Sequence, residues 1–293
     1  MKLKKIIVIS DGGLANRIRP IFSALALAEV LGLAHRDVSV YWRPSPVCDT
    51  LLTDVILTPF NEESERFIGS LDKQTAFLYR EGSVRNAVNV FQRADIANLL
   101  EQCSSQSIEK AQSIEKYICN STNNFHTLIL FDNQPLIWNP KLSGFYHENL
   151  KKLVFIRDIE ESAALFLGTK KLHRDSLGVH ARGTDFRIPF SEYSKKISLE
   201  NLSETWFFAS DSDYFNREAV RLYKNVTLRK KSLPDHKAGI LGFGERIFRS
   251  SQSITDAAVD LRILASINLK IFHPNSTFAC LAKEIACSKF LSG

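Results

Sequence analysis

The sequence predicts an α/β protein built from two Rossmann-like domains facing across a cleft. Three observations carry this. Ile6–Ile9 is a continuous apolar run followed by paired glycines and a long apolar helical segment, the pattern of a buried parallel strand feeding a helix. From Ser176 onward, short apolar runs alternate with helical patterns, which implies a parallel sheet covered on both faces. At 293 residues the chain is also long enough for two units of roughly 100–200 residues each.

Ile6-Ile7-Val8-Ile9 is the first strand, and Ser10–Arg17 is a glycine loop leading into a helix from about Pro20 to Leu33. Pro20 is acceptable in a first turn, where its missing N–H is not needed. Val38–Trp42 reads as a second strand, residues 45–125 as short helices interrupted by polar stretches, and Leu128–Phe131 as another strand. Phe155–Leu172 has Ile156, Ile159, Ala163, Ala164 and Leu167 at helical spacing. The domain boundary is expected in Gly168–Asp175, giving an N-terminal domain over 1–172 and a C-terminal domain over 173–293. In the second domain Ser176–His180, Thr205–Ser210, Val226–Leu228 and Leu269–His273 read as strands. Asp213–Leu222, Thr255–Ser266 and Thr277–Ala286 read as helices.

A composition of 44% hydrophobic and 24% charged residues is that of a globular protein with a real core. No apolar run is long enough for a spanning helix. The lysine-rich start leads into Asp11-Gly12-Gly13 and not into a small-residue cleavage site, so a strand is the better reading. Five scattered cysteines without a CxxC pair argue against a disulfide framework or a zinc site and fit a reducing cytoplasm. Cys280 and Cys287 are expected to be buried thiols of a helix. The net charge of +6 favours an anionic ligand; nucleic acid, a phosphorylated small molecule and an acidic membrane face are all compatible with it.

Ligands of parallel α/β sheets bind beyond the carboxyl ends of strands. Four polar loops qualify: Ser10–Arg19, His180–Arg187, Ser210–Asp213 and His273–Phe278. In the first, Gly12 and Gly13 can bring backbone N–H groups to an anion, and Arg17 and Arg19 lie close, although neither a P-loop nor a GxGxxG pattern is present. In the second, Arg182 can hold phosphate oxygens bidentately, Gly183 leaves room beside it, and Asp185 can orient Arg182 or accept a proton. Asp211 ends a buried strand where a carboxylate suits a ribose diol or a base edge, while Asp213 also suits a helix cap. Asn275, Ser276 and Thr277 open a helix, which suits either a phosphate or plain capping. Residues 231–253 form a basic, glycine-containing stretch that reads as a lid or as a long surface loop. No histidine, cysteine or acidic spacing suggests a metal, and no G-x-S-x-G elbow supports a hydrolase.

Together these segments resemble the fucosyltransferase superfamily that includes bacterial α1,2- and α1,6-fucosyltransferases, nodulation fucosyltransferases and protein O-fucosyltransferases. GGLANRIRPIFSALALAEVLG resembles its G-G-x-G-N-Q loop and apolar helix, with Ala15 and Arg17 where Gly and Gln are usual. VHARGTDF resembles its H-x-R-R-x-D motif, with Gly183 in place of the second Arg. WFFASDSDYF and AVDLRILASINLKIFHPNSTFACLAKEIA resemble its F-x-A-T-D-D strand end and closing block. The order and spacing of all four agree over nearly the whole chain.

The resemblance implies a glycosyltransferase-B fold and inverting, metal-independent transfer, with no cofactor beyond a GDP-sugar donor held by the C-terminal domain. It implies that Arg182 neutralises the departing β-phosphate with His180 at the nucleotide, and that Asp211 reads guanine or ribose. Asn275, Ser276, Thr277 and the Phe278 amide would cradle the diphosphate. Asn16, Gly12 and Gly13 would approach from the N-terminal domain, and Asp11 and Asp185 are the candidate bases. The expected partners are a nucleotide-sugar and a glycan acceptor, without nucleic acid, in the cytoplasm or peripherally at the inner membrane face. A relative using another nucleotide-sugar, leaning on Arg17, Arg19 or Arg246 for charge, is the alternative prompted by Gly183. A non-catalytic basic protein binding glycan or nucleic acid is a further one.

Overall fold

The computed structural model describes residues 3–10, 12–45, 47–58, 60–64, 71, 74–79, 103–108, 125–132, 135–136, 140–183, 188–237 and 246–290. The chain divides into two compact units, one of Met1–Ser45 with Thr58–Lys152 and one of Pro46–Leu57 with Leu153–Gly293. The division therefore falls before the helix at 157–169, not after it as the sequence suggested. That helix packs on a later helix of the second unit, and its arginine-paired Glu160 accepts from Arg262 Nε at 2.7 Å. Residues near 50 join the second unit through backbone pairing: Leu57 N donates to Val154 O, Ile156 N to Val55 O, and Asp49 N to Arg249 O.

Among the described residues the first unit carries six parallel strands: β1 (Lys5–Ser10), β2 (Val38–Trp42), β3 (Asn61–Glu62), β4 (Thr75–Tyr79), β5 (Ser104–Ser107) and β6 (Thr127–Asp132). Their order is β3-β2-β1-β6-β4-β5. β1 and β6 are central and buried on both faces, which is why they read as unbroken apolar runs. Ile7, Ile9, Tyr41, Phe77, Ile129 and Phe131 pack on one face. Each such side chain contributes roughly 1.5–3 kcal/mol by leaving water. The described part of 45–125 supplies these strands and a short 3-10 turn at Leu52–Asp54, and the rest of the stretch expected as short helices lies outside the described residues.

Helix α1 (Leu14–Val30) begins directly after the glycines, six residues before the start expected from Pro20. Pro20 lies inside it, where the ring removes one helical N–H donor. The helix is buried nearly all round and packs against β1 and α2 (Pro140–Leu150). Ser23 Oγ fixes the neighbouring chain by accepting from Leu136 N at 2.9 Å.

The second unit contains α3 (Arg157–Thr169), β7 (Leu177–Ala181), α4 (Phe190–Ile197), β8 (Trp206–Ser210), α5 (Asp213–Leu222) and β9 (Val226–Thr227). They are followed by β10 (Asp235–Lys237), β11 (Arg246–Phe248), α6 (Ser251–Leu264), β12 (Asn268–Phe272) and α7 (Thr277–Phe290). Four parallel strands run in the order β12-β7-β8-β9. Val179, Phe190, Tyr193, Trp206, Phe208, Phe215 and Ile271 form the core on one side of this sheet. β10 and β11 pair antiparallel, so the stretch expected as a lid or loop contains a two-stranded ribbon; residues 238–245 lie outside the described residues. α7 leaves Cys280 half-buried and Cys287 exposed, unlike the buried pair expected from spacing, because the helix buries the Ala279, Leu281, Ala282 and Ile285 face instead.

Candidate functional site

Strand register fixes the first part of the site. His180 on β7 is level with Phe272 on β12 and Ala209 on β8, so three strands end in one row. The chain leaves β7 toward β8 and β9 on one side, while β12 lies on the other. The crevice where strand order reverses is where open α/β sheets bind ligands.

At that crevice His180 is 7% exposed and its ring stacks on Phe278, with centroids 5.0 Å apart and planes inclined by 26°. Ser276, fully buried, accepts the Ala279 N–H at 3.3 Å as the cap of α7, and its Oγ lies 3.3 Å from His180 Nδ1. The hydroxyl can donate to Nδ1 or accept from it, according to which ring nitrogen carries the imidazole proton. Burial lowers the His180 pKa to about 4; Asp211 opposes this and Lys231 and Arg182 reinforce it. The ring is therefore neutral near pH 7. Thr277 is the first residue of α7, and exposed Asn275 donates its N–H to His273 Nδ1 at 3.2 Å.

The Arg182 N–H donates to the Tyr193 hydroxyl at 3.3 Å, and burial raises the pKa of that phenol, which holds it in its protonated form. Gly183 N–H donates to Asp211 Oδ1 at 2.8 Å, while Asp211 Oδ2 lies 3.9 Å from Arg249 Nη2. A Cβ on Gly183 would fall 2.4 Å from Ser212 Cβ and 3.2 Å from Phe215 Cδ2. The missing second arginine is thus a packing requirement. Ser212, not Asp213, caps α5, its Oγ accepting from Phe215 N at 3.4 Å; Asp213 sits in the first turn and pairs with Arg217 at 3.3 Å. Asp185 lies outside the described residues.

In the first unit, Gly12 adopts φ +83, which a side chain would strain, and a Cβ there would meet Asn16 Nδ2 at 2.9 Å. Gly13 precedes α1 as its capping residue, with open space where a Cβ would be. Asn16 Oδ1 is buried and has no hydrogen-bond partner among the described residues. Arg17 is fully buried and structural: Nε donates to Gly12 O at 2.8 Å, Nη1 to Arg43 O at 2.5 Å and Nη2 to Ser45 Oγ at 2.7 Å, and the group lies 5.1 Å from the Trp42 ring centre. The anion-binding role considered for it is excluded by those commitments. Asp11 lies outside the described residues.

Sequence reading missed a buried charge network beside this site. Arg229, just after β9, reaches Asp256 Oδ1 at 2.8 Å and Asp260 Oδ1 at 3.0 Å, and Lys231 pairs with Asp260. Ser232 N and Gln252 Nε2 complete the Asp256 carboxylate at 2.8 and 3.3 Å. Two carboxylates four residues apart on a buried helical face were the available signal. A second concavity of about 500 Å³ lies between α5 and the segment 228–233. Arg217, Arg221, Arg229, Lys230 and Lys231 line it; Arg217 pairs with Asp213, Arg221 with Glu218, and Arg229 and Lys231 with Asp256 and Asp260.

No family model matches the chain and no curated protein matches it in sequence. Solved structures do. NodZ α-1,6-fucosyltransferase co-crystallised with GDP aligns over 97% of this chain and 92% of its own, with a TM-score of 0.59 at 14% identity. Fucosyltransferase NodZ from Bradyrhizobium aligns over 97% and 93%, at 0.58 and 14%. POFUT1 in complex with GDP aligns over 97% and 95%, at 0.57 and 13%. The chain has the fucosyltransferase fold. That fold, of glycosyltransferase-B type, is the α/β class expected from the alternating pattern and the motif order. Near-complete coverage of both partners means that the fucosyltransferase fold accounts for both units.

Proposed function

We propose that the protein transfers fucose, or a closely related sugar, from a GDP-sugar to a glycan hydroxyl, with inversion and without a metal. The observation that carries this reading is the His180–Ser276 pair at the start of α7, beside the Arg182–Gly183 turn. In metal-free transfer a diphosphate leaving group needs a cation and oriented N–H donors. Arg182 provides the first. The N-terminus of α7 provides the second, with roughly half a positive charge. Neutral His180 adds a polar ring edge without adding charge. The GDP-bound neighbours of the same fold support a guanine nucleotide as the donor's leaving group. Asn16 with its unpartnered oxygen, Gly12 and Gly13 belong to the acceptor side in this reading, and Asp11 or Asp185 acts as the base.

The acceptor is a glycan of a bacterial surface polysaccharide or oligosaccharide, made on the cytoplasmic side. Among the described residues no helix is long and apolar enough to cross a membrane. The cationic concavity beside α5 is the surface suited to a peripheral position on anionic lipid.

Calorimetry with GDP, UDP and CMP, with and without EDTA, tests the donor class. GDP-selective binding that survives EDTA is expected. Product mass after incubation with a set of nucleotide-sugars and glycan acceptors then tests the sugar, and turnover only with a sugar other than fucose overturns that part.

A further inference from the structure

The β7–β8 ladder ends at Ala181 opposite Ser210, so the Arg182 and Gly183 amides lie past its last rung. Side chains take over there. Gly183 N–H donates to Asp211 Oδ1 at 2.8 Å, and Arg182 N–H donates to the Tyr193 hydroxyl at 3.3 Å. The first acceptor is local, since Asp211 directly follows β8. The second comes from α4, eleven positions along the chain. Tyr193 is otherwise a core residue. It is 3% exposed, and its ring packs edge-on against Phe215, with centroids 6.0 Å apart, on the helix face that also buries Phe190 and Ile197. A phenylalanine would make those apolar contacts equally well. A buried hydroxyl lowers stability unless it is hydrogen-bonded, so its place in this core depends on a polar partner. That partner is the amide of the residue assigned above to the leaving group.

We infer that Tyr193 is a positioning residue whose hydroxyl fixes the backbone from which the Arg182 side chain serves the β-phosphate. The inference rests on the transferase reading above and adds to it a residue that acts through Arg182. An arginine side chain is long, so a small tilt at its root displaces the guanidinium by more than a phosphate contact tolerates. Tyr193 and Asp211 hold two successive amides from two different elements, α4 and the end of β8, which sets both the place and the tilt of the turn. The anchor is itself fixed, because Phe190 and Ile197 hold α4 in the core on either side of Tyr193. Burial raises the pKa of the phenol, so near pH 7 it holds the amide without bringing a negative charge toward a phosphate.

The test is a double-mutant cycle on the full chain, with calorimetry of GDP and GMP for the wild type, Tyr193→Phe, Arg182→Ala and the double variant. Tyr193→Phe is expected to weaken GDP binding roughly threefold to tenfold, as loss of one hydrogen bond does. GMP lacks the β-phosphate and is expected to be spared. In the Arg182→Ala background the same substitution is expected to leave GDP affinity unchanged, because the side chain through which it acts is gone. A purely structural hydroxyl gives a different result: GDP and GMP weaken together, or the loss is equal in both backgrounds. Either result overturns the assignment and leaves the donor reading standing. Unaltered GDP affinity in Tyr193→Phe also overturns it, as does a Tyr193→Phe chain that no longer unfolds cooperatively in urea. Wild-type GDP affinity in Arg182→Ala overturns the role given to Arg182, and a wild type that binds neither nucleotide overturns the donor reading itself.

Discussion

Gly183 and Ser212 are packed so closely that a methyl group on the glycine would lie 2.4 Å from the serine Cβ. The contact joins the loop after β7 to the cap of α5, and it sets both the shape and the charge of the proposed phosphate wall. Gly183→Ala is expected to lose about 1–3 kcal/mol of stability through overpacking. Ser212→Gly in the same chain is expected to recover most of this, since a glycine cap costs only a few tenths of a kcal/mol. Urea unfolding of both single variants and the double variant checks the coupling.

His180 makes stability depend on pH. Its pKa is about 4 in the folded chain against 6.5 for an ordinary histidine. Above 6.5 neither state binds the proton and nothing is lost. As pH falls from 6.5 toward 4 the unfolded chain takes up a proton that the folded chain refuses, so stability falls by up to about 3 kcal/mol. Unfolding curves at pH 7.5, 6 and 5 should show this slope, and His180→Gln should flatten it.

Arg17 stands where the resembling family has glutamine, yet its three donors hold the glycine loop, the end of β2 and Ser45 together. Arg17→Gln leaves buried acceptors without donors and is expected to cost about 2–4 kcal/mol. A melting curve and limited proteolysis of the loop check it.

Arg182→Ala is expected to abolish sugar transfer while the chain still folds, because alanine keeps the backbone N–H that donates to Tyr193. Full activity in that variant would remove the leaving-group role.

The cationic concavity predicts binding to vesicles of phosphatidylcholine with phosphatidylglycerol and little to phosphatidylcholine alone, weakening as salt rises. Co-sedimentation of Arg217→Gln, Arg221→Gln and Lys230→Gln combined should lose it. Equal pelleting with neutral vesicles would count against a charge-driven position.

The parts legible in the sequence were those with one strong local cause. β1, β2, β7 and β8 were readable because strands buried on both faces are apolar throughout. α1 starts six residues before the position that Pro20 suggests as a first-turn residue, because burial of the helix outweighs the lost hydrogen bond. Helix α4 spans only eight residues, and its register is set by Phe190, Tyr193 and Ile197 packing on the sheet, so periodicity had too little length to show it. Within the site, His180, Ser276 and Phe278 were found from strand ends and a helix start, and the fold brings them into contact. The Arg229–Asp256–Asp260 network and the approach of Arg249 to Asp211 join residues 27, 31 and 38 positions apart, and the Asp256/Asp260 spacing marks only the helix side of the first, not its partner.

The excursion of Pro46–Leu57 into the second unit makes the two units inseparable by a single cut. A fragment ending at Lys152 would expose the surface with which Val55 and Leu57 pair to Val154 and Ile156, and the complementary fragment would lack that partner. Recombination by one crossover would likewise join the second unit to a foreign version of its own strap. Exchange of the second unit between proteins of this fold therefore requires two coordinated splices, one around the strap and one after Lys152.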